Sequence, residues 1–259
     1  MNSNRLPSLS HRLYSVWFRH VLVYTRNILS NGLPPFMDPL IFLAGVGLGL
    51  GKYIVSMENM PYIQFLASGL LVTSAMYTSA FECTYGTFIR LEFDKVYDGM
   101  LAAPITTSDL ILGEILWAGT KGFFFSFAVL IMVSVFGVIP LSTSVFAPFV
   151  GFLTGILFGA MSLLITSFVK TINHFSFYFT GVLSPMFFFS GVVFPVSSLP
   201  KVAQPIAWTL PLSHPVALAR ALCTGRFHSG LLLNVLYILA LTALTGAFAV
   251  RRLRKRLVQ

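Results

Sequence analysis

Six long apolar stretches set the frame of the chain: residues 33–54, 62–88, 111–139, 145–169, 175–194 and 231–250. Each has the roughly 20 apolar residues that a helix needs to cross a bilayer. Short polar segments separate them. Ahead of the first, residues 8–31 carry Leu9, Leu13, Val16, Trp17, Tyr24 and Ile28 at spacings of three and four, which predicts an amphipathic helix. Arg5, Arg12, Arg19 and Arg26 stand seven apart and so hold one flank. A basic flank beside a Trp/Tyr stripe suits a helix lying in the headgroup layer, with a cytosolic docking helix as the other reading. Asn31-Gly32 is expected to end this helix and Pro34-Pro35 to prevent its continuation. Asp38-Pro39 then reads as an N-cap with proline in the first turn of the next helix.

The fifth run gives way to a stretch punctuated by Pro195, Pro200, Pro205, Pro211 and Pro215 that stays largely apolar. Its pieces, Leu199–Leu210 and Val216–Leu222, are too short to span and too apolar for a free aqueous loop. Two short helices that enter the membrane edge and turn back satisfy both conditions, because irregular backbone at that depth must be buried in protein or line a cavity. This stretch is expected to form one end of a translocation pathway.

The polar segments refine the picture. Residues 90–114 hold five of the eight acidic residues, namely Glu92, Asp94, Asp98, Asp109 and Glu114. Leu91–Met100 is a short helical candidate ended by Gly99 or Pro104, and Thr106-x-x-Asp109 opens the next helix as a capping box. The segment is either a docking knob for a soluble partner or an ordinary solvated loop. Ser74, Thr78, Glu82 and Tyr85 fall on one face of the second run. Glu82 needs pairing or water at that depth, so it is either paired with Arg90 or a neighbouring helix, or part of a pathway. Lys121 is expected to snorkel. Gly45, Gly47, Gly49 and Gly51, and again Gly151, Gly155 and Gly159, are spaced for close helix approach; no Lys-Ser/Thr follows the first set, which speaks against a phosphate loop.

Composition fits this frame. Hydrophobic residues make up 56% of the 259, charged residues only 10%, and mean hydropathy is +0.83, against about 25% charged in soluble domains. The net charge of +9 is dispersed among the polar segments and reads as membrane orientation rather than nucleic-acid binding. With the N-terminus inside, thirteen Lys and Arg residues fall on the inner side and four (Lys52, Lys201, Arg220 and Arg226) on the outer. Both termini are therefore expected in the cytosol and the broken stretch outside. Cys83 and Cys223 fall toward opposite faces and are expected to be free thiols. The first apolar run begins too late for a secretory signal peptide.

Signs of catalysis are few. His11, His20, His174, His214 and His228 form no His-Glu-x-x-His pair and no Gly-x-Ser-x-Gly elbow occurs. No acidic residue lies beyond Glu114, which leaves little for a paired-carboxylate site. Ser213 or His214 is expected to cap a short helix with Pro215 at its first position. A secondary transporter would show related broken helices in both halves and ion-coupling groups in the membrane. Here one break is evident, so the energy is expected from a partner docked on the cytosolic side.

The order of elements, with an N-terminal interfacial helix, an acidic loop after span two and a broken stretch after span five, resembles the type-2 ABC exporter permeases. Five strings resemble the nodulation protein J branch of that family: DPLIFLAGVGLGLG (Asp38–Gly51), TSAMYTSAFECTY (Thr73–Tyr85), ILGEILWAGTK (Ile111–Lys121), PMFFFSGVVFPVSSLP (Pro185–Pro200) and LPLSH (Leu210–His214). The resemblance covers nearly the whole chain and is loose around Asp94–Ala103 and in the tail.

It implies an all-α polytopic membrane protein of the bacterial inner membrane. The interfacial helix occupies residues 1–32, a six-span domain residues 33–250 and a basic cytosolic tail residues 251–259. Within the domain, a coupling helix falls at about 91–103 and re-entrant helices at about 196–225. The family pairs a homodimer of the permease with two copies of a separate ATPase, so ATP and Mg would be bound by that partner and no cofactor by this chain. Carried over, Glu92, Phe93, Asp94, Tyr97 and Asp98 become coupling residues. Tyr77, Glu82, Tyr85, Tyr178 and Phe187 line the pathway, and Pro195, Pro200, Trp208, Pro211 and His214 form the extracellular gate. The leading cargo is a lipid-linked saccharide, lipo-oligosaccharide or related amphiphile. A drug or toxin efflux permease is the alternative, and an intramembrane lipid-modifying enzyme using His214 or Glu82 is the remote one.

Overall fold

The computed structural model describes residues 6–54 and 56–257, apart from the side chains of residues 29–31 and 34–36. Arg5, the first of the heptad-spaced arginines, and the last two residues of the tail lie outside the described residues. The described chain is helical throughout, with one two-residue hairpin.

Helix α1 (Leu9–Arg26) ends at Asn27, whose φ of −129° and ψ of 42° leave the helical region. Helix α2 (Ile28–Phe42) starts at once and runs through Pro34, Pro35 and Pro39. The expected stop at Asn31-Gly32 and the cap at Asp38 are therefore corrected: Asp38 sits inside α2. Prolines are tolerated in membrane helices where neighbouring groups re-satisfy the freed carbonyls; α2 then passes into a π-helical stretch, Leu43–Leu48, before a last turn α3 (Gly49–Gly51). The strands β1 (Ser56–Met57) and β2 (Met60–Pro61) pair antiparallel across Glu58 and Asn59, both at positive φ, as the tightest hairpin turn requires.

Helix α4 (Tyr62–Phe81) carries the second apolar run, and its helical path continues through π turns at Glu82–Gly86 and Ile89–Phe93. Lys95 then adopts a left-handed conformation, φ 51°, and α5 (Val96–Leu101) begins. The single helix expected over Leu91–Met100 is thus two pieces hinged at Asp94-Lys95. Helix α6 (Thr107–Val135) opens on the expected capping box: Asp109 N–H donates to Thr106 Oγ1 at 3.2 Å and Thr106 N–H to Asp109 Oδ2 at 2.8 Å.

Helix α7 (Ala147–Phe168) packs on α6 along the predicted glycines. A Cβ at Gly155 would stand 2.5 Å from Ala118 O, and one at Gly122 2.5 Å from Gly151 O, so the two backbones touch where only glycine fits. The first glycine set behaves differently. A Cβ at Gly47 meets Ile63 at 3.3 Å, whereas at Gly45, Gly49 and Gly51 it meets nothing within 4 Å.

The fifth run is helical as α8 (Phe175–Tyr178), a π stretch Phe179–Leu183 and α9 (Ser184–Phe189). It ends there rather than at Phe194, because the chain turns at Gly191, φ 82°. Helices α10 (Ala203–Thr209) and α11 (Ser213–Thr224) follow. Helix α12 (Leu231–Leu257) carries the last run and continues through Arg251–Arg256, so the described tail is an extension of that helix and not a separate segment. Among the described residues, three helical stretches, Thr107–Val135, Thr143–Phe168 and Leu231–Leu257, are long and apolar enough to cross a membrane; Met37–Gly51 is a shorter apolar helix. Cys83 and Cys223 are buried free thiols.

Candidate functional site

The apolar interior holds one dense patch of ionisable side chains, where α1, α4 and its π turns, α5 and α6 meet. Arg90 is its centre. Its guanidinium donates to Glu82 Oε1 at 2.7 Å and to Glu114 Oε2 at 2.8 Å. Lys121 Nζ reaches Glu82 Oε2 at 2.8 Å, and Tyr97 Oη donates to Glu114 Oε1 at 2.6 Å. His20 Nε2 lies 3.0 Å from the same Glu114 oxygen, off the hydrogen-bond line, and its ring stacks on Trp117. Two carboxylates thus meet two permanent cations. A buried ion pair holds only when geometry and extra hydrogen bonds offset desolvation, and Tyr97 and Thr87 supply such bonds. Burial pushes the Tyr97 phenol far above its ordinary value, with Glu114 adding to the effect, so the hydroxyl keeps the proton it donates.

Lys121 does not snorkel toward water, as its sequence position suggests. It is 9% exposed, lies over the Tyr24 ring and is held inward by Glu82. His20 was not among the apolar stripe residues of α1, yet it is 3% exposed on that helix's inner face beside Val16. Its spacing of four from Val16 and Tyr24 is the signal that marks it. Further ties fasten α1 to α6: Arg12 pairs with Asp109 in the first turn of α6 at 2.7 Å, and Trp17 Nε1 donates to Thr120 near its middle at 2.9 Å. His20, Glu82 and Glu114 bring potential metal ligands within 4.8 Å of one another, but Arg90 and Lys121 already occupy the carboxylates. A metal would have to displace both cations, so the donor set fits an ion network.

The five coupling residues of the sequence reading separate into two faces. Asp94, Asp98 and Phe93 are exposed, Phe93 by 64%. Tyr97 is turned inward into the network. Glu92 is half-buried and pairs with Arg256 at 2.7 Å, a link from the described end of α12 that sequence spacing gave no means to find.

Of the pathway residues, Tyr77 and Phe187 face one another at 6.4 Å between ring centroids, and Phe187 meets Phe42 edge-on at 5.2 Å. Tyr85 packs against Phe81 and Phe175 at 5.4 and 5.1 Å. These contacts form two aromatic groups, one joining α2, α4 and α9 and the other joining the end of α4's helical path to α8. Tyr178 is buried, its hydroxyl 3.2 Å from Ser162 of α7. Glu82 belongs to the ion network.

Of the residues read from the sequence as a gate, Trp208 lies on α10 and His214 on α11. His214 stacks on Tyr237 at 3.8 Å, its Nδ1 is 2.8 Å from Asn234 Oδ1, and Trp208 lies 6.4 Å away. The capping role expected of Ser213 or His214 is replaced: Ser213 is already the first residue of α11 and its hydroxyl donates back to Ala207 O. Pro195 is buried, Pro200 is exposed, and Pro211 separates α10 from α11. Sequence reading missed the residue that pins this stretch. Arg220, set down as an outer-side charge, is half-buried; it donates to Gly191 O at 2.8 Å and to Phe65 O and Ser68, and covers the Phe65 ring at 3.6 Å.

With the fold and this geometry in view, the comparisons with known proteins are consistent. Residues 11–224 match the family described as ABC-2 type transporter. The chain is 33% identical over 255 residues to nodulation protein J of Rhizobium meliloti (strain 1021), covering 98% of this chain and 97% of that protein. It is 30% identical over 259 residues to nodulation protein J of Neorhizobium galegae, covering 100% and 99%. It is 26% identical over 174 residues to the inner membrane transport permease YadH of Escherichia coli (strain K12), covering 67% and 68%. The chain belongs to the ABC-2 type transporter family and is a membrane permease subunit.

Proposed function

We propose that this chain is the membrane half of an ATP-driven exporter. In this reading it works as a homodimer with two copies of a soluble ATPase, in a bacterial inner membrane with both termini in the cytosol, and its six spans carry a lipid-linked saccharide or similar amphiphile outward. The observation that carries the reading is the pairing of an exposed turn with a buried network. Phe93, Asp94 and Asp98 offer an apolar anchor and two carboxylates to a partner. Directly behind them, Tyr97 bonds to Glu114, and through Arg90 to Glu82 on the helix that carries Tyr77. A push on α5 therefore acts on the end of α4's helical path and on α6 together, since these bonds tie Tyr97, Arg90, Glu82, Glu114 and Lys121 into one polar network.

The open faces at Gly45 and Gly49, four residues apart, support close approach of a second copy. The short α10 and α11 fit the re-entrant helices of the proposed outer gate, because Arg220 ties α11 to α4 and to the Gly191 turn, whose carbonyl it satisfies. Co-expression with a candidate soluble ABC ATPase and co-purification is the test. Wild-type permease is expected to retain the ATPase, and Asp94→Arg with Asp98→Arg to release it. Equal retention by both would overturn the assignment of the docking turn.

A further inference from the structure

Helix α12 carries its charge past the end of its apolar stretch, with Arg251, Arg252, Lys255 and Arg256 on its last turns. Arg256 is engaged within the fold, donating to Thr166 O at 2.7 Å and Val169 O at 2.9 Å and pairing with Glu92. That pair neutralises the one carboxylate lining a cavity of about 510 Å³, whose walls also include Phe168, Lys170, Arg252 and Lys255. The Arg252 guanidinium lies over the Phe168 ring at 4.8 Å, which holds it at the cavity wall. Among the described residues, Lys170, Arg252 and Lys255 make no ion pair.

A second cavity of about 230 Å³ adjoins the first, sharing Phe168, Arg252 and Lys255 and extending along Leu164 and Phe248. One end of the combined site is cationic and the other apolar. The change falls where α12 passes from apolar to basic residues, which is headgroup level for a helix crossing a bilayer. We propose that this paired cavity binds an anionic phospholipid of the leaflet at the C-terminal end of α12, the headgroup phosphate among Lys170, Arg252 and Lys255 and an acyl chain along Leu164 and Phe248.

Three cations that make no ion pair among the described residues, beside one neutralised carboxylate, call for an anion, and Arg and Lys take phosphate readily. A soluble phosphate compound would leave the apolar extension uncovered. An acidic protein surface would cover the cations but would not enter a groove between α7 and α12 at membrane depth. A phospholipid matches both ends.

The test uses the full-length permease, purified in detergent and stripped of lipid, with bound lipid counted by native mass spectrometry. Phosphatidylglycerol is expected to bind more tightly than phosphatidylethanolamine of the same chains. Arg252→Gln with Lys255→Gln should weaken phosphatidylglycerol binding by roughly thirtyfold, two headgroup cations being lost. The charge-keeping pair Arg252→Lys with Lys255→Arg should retain it, and Leu164→Trp, which fills the groove, should weaken it with every cation in place. Equal binding of the two lipids, or no change in the glutamine pair, would overturn the proposal. Displacement by an equal concentration of glycerol 1-phosphate would mark a free-phosphate site instead, and displacement by the purified ATPase a protein contact; either would also overturn it.

Discussion

At the residue scale, the decisive groups are the few charges inside an apolar chain. Glu82 serves two cations, so Glu82→Gln leaves Lys121 and half of Arg90 without a counter-charge. Removing one partner of a buried pair costs about 3–5 kcal/mol, and thermal unfolding in detergent should show that loss. Pairing Glu82→Gln with Lys121→Met should recover part of it, because the two side chains are coupled. Arg220→Met is expected to cost roughly 1–3 kcal/mol by taking the donor from the Gly191 carbonyl. Its effect should appear first as faster proteolysis between Val192 and Thr209, the part of the broken stretch that Arg220 ties down. Of these residues, Glu82 was legible in the sequence as a carboxylate in need of a partner, and Arg90 as one option. Arg220 was not, because a basic residue in an outer segment looks the same whether it faces water or plugs a turn. Lys121 was read by its distance along the span, which does not reveal that Glu82 stands opposite.

At the scale of elements, glycine spacing has two meanings that only packing separates. Gly155→Val puts a branched side chain against Ala118 O, where a Cβ alone would stand at 2.5 Å. Overpacking of that kind costs typically 1–3 kcal/mol and more where backbone must move, so folded yield should fall sharply. Gly45→Val meets nothing within the subunit and should leave subunit stability within about 0.5 kcal/mol. Yet it should weaken the proposed homodimer, as measured by cross-linking or light scattering. The sequence showed both glycine sets alike, since periodicity tells which face is small and not what covers it. Boundaries were least legible where proline and π turns trade effects. Pro34 and Pro35 commonly stop helices in water, but α2 runs through them from Ile28 to Phe42. The hinge at Asp94-Lys95 was hidden because Lys95 is an unusual residue for a left-handed position.

At the scale of the whole molecule, the order of helices and the capping of α6 followed from hydropathy and local motifs. The junction of α1, α4, α5 and α6 did not, because its members are drawn from residues 20 to 121 and no spacing rule links them. That junction is what gives the exposed turn at Asp94 and Asp98 a route into the helices. The measurement that bears most directly on it is transport itself, with the permease and its ATPase reconstituted in proteoliposomes and movement of a fluorescent lipid-linked saccharide followed with and without ATP. Wild type should move the lipid only with ATP, and the Asp94→Arg and Asp98→Arg pair should abolish movement while the permease keeps its fold. ATP-dependent movement unchanged by that pair would contradict the account.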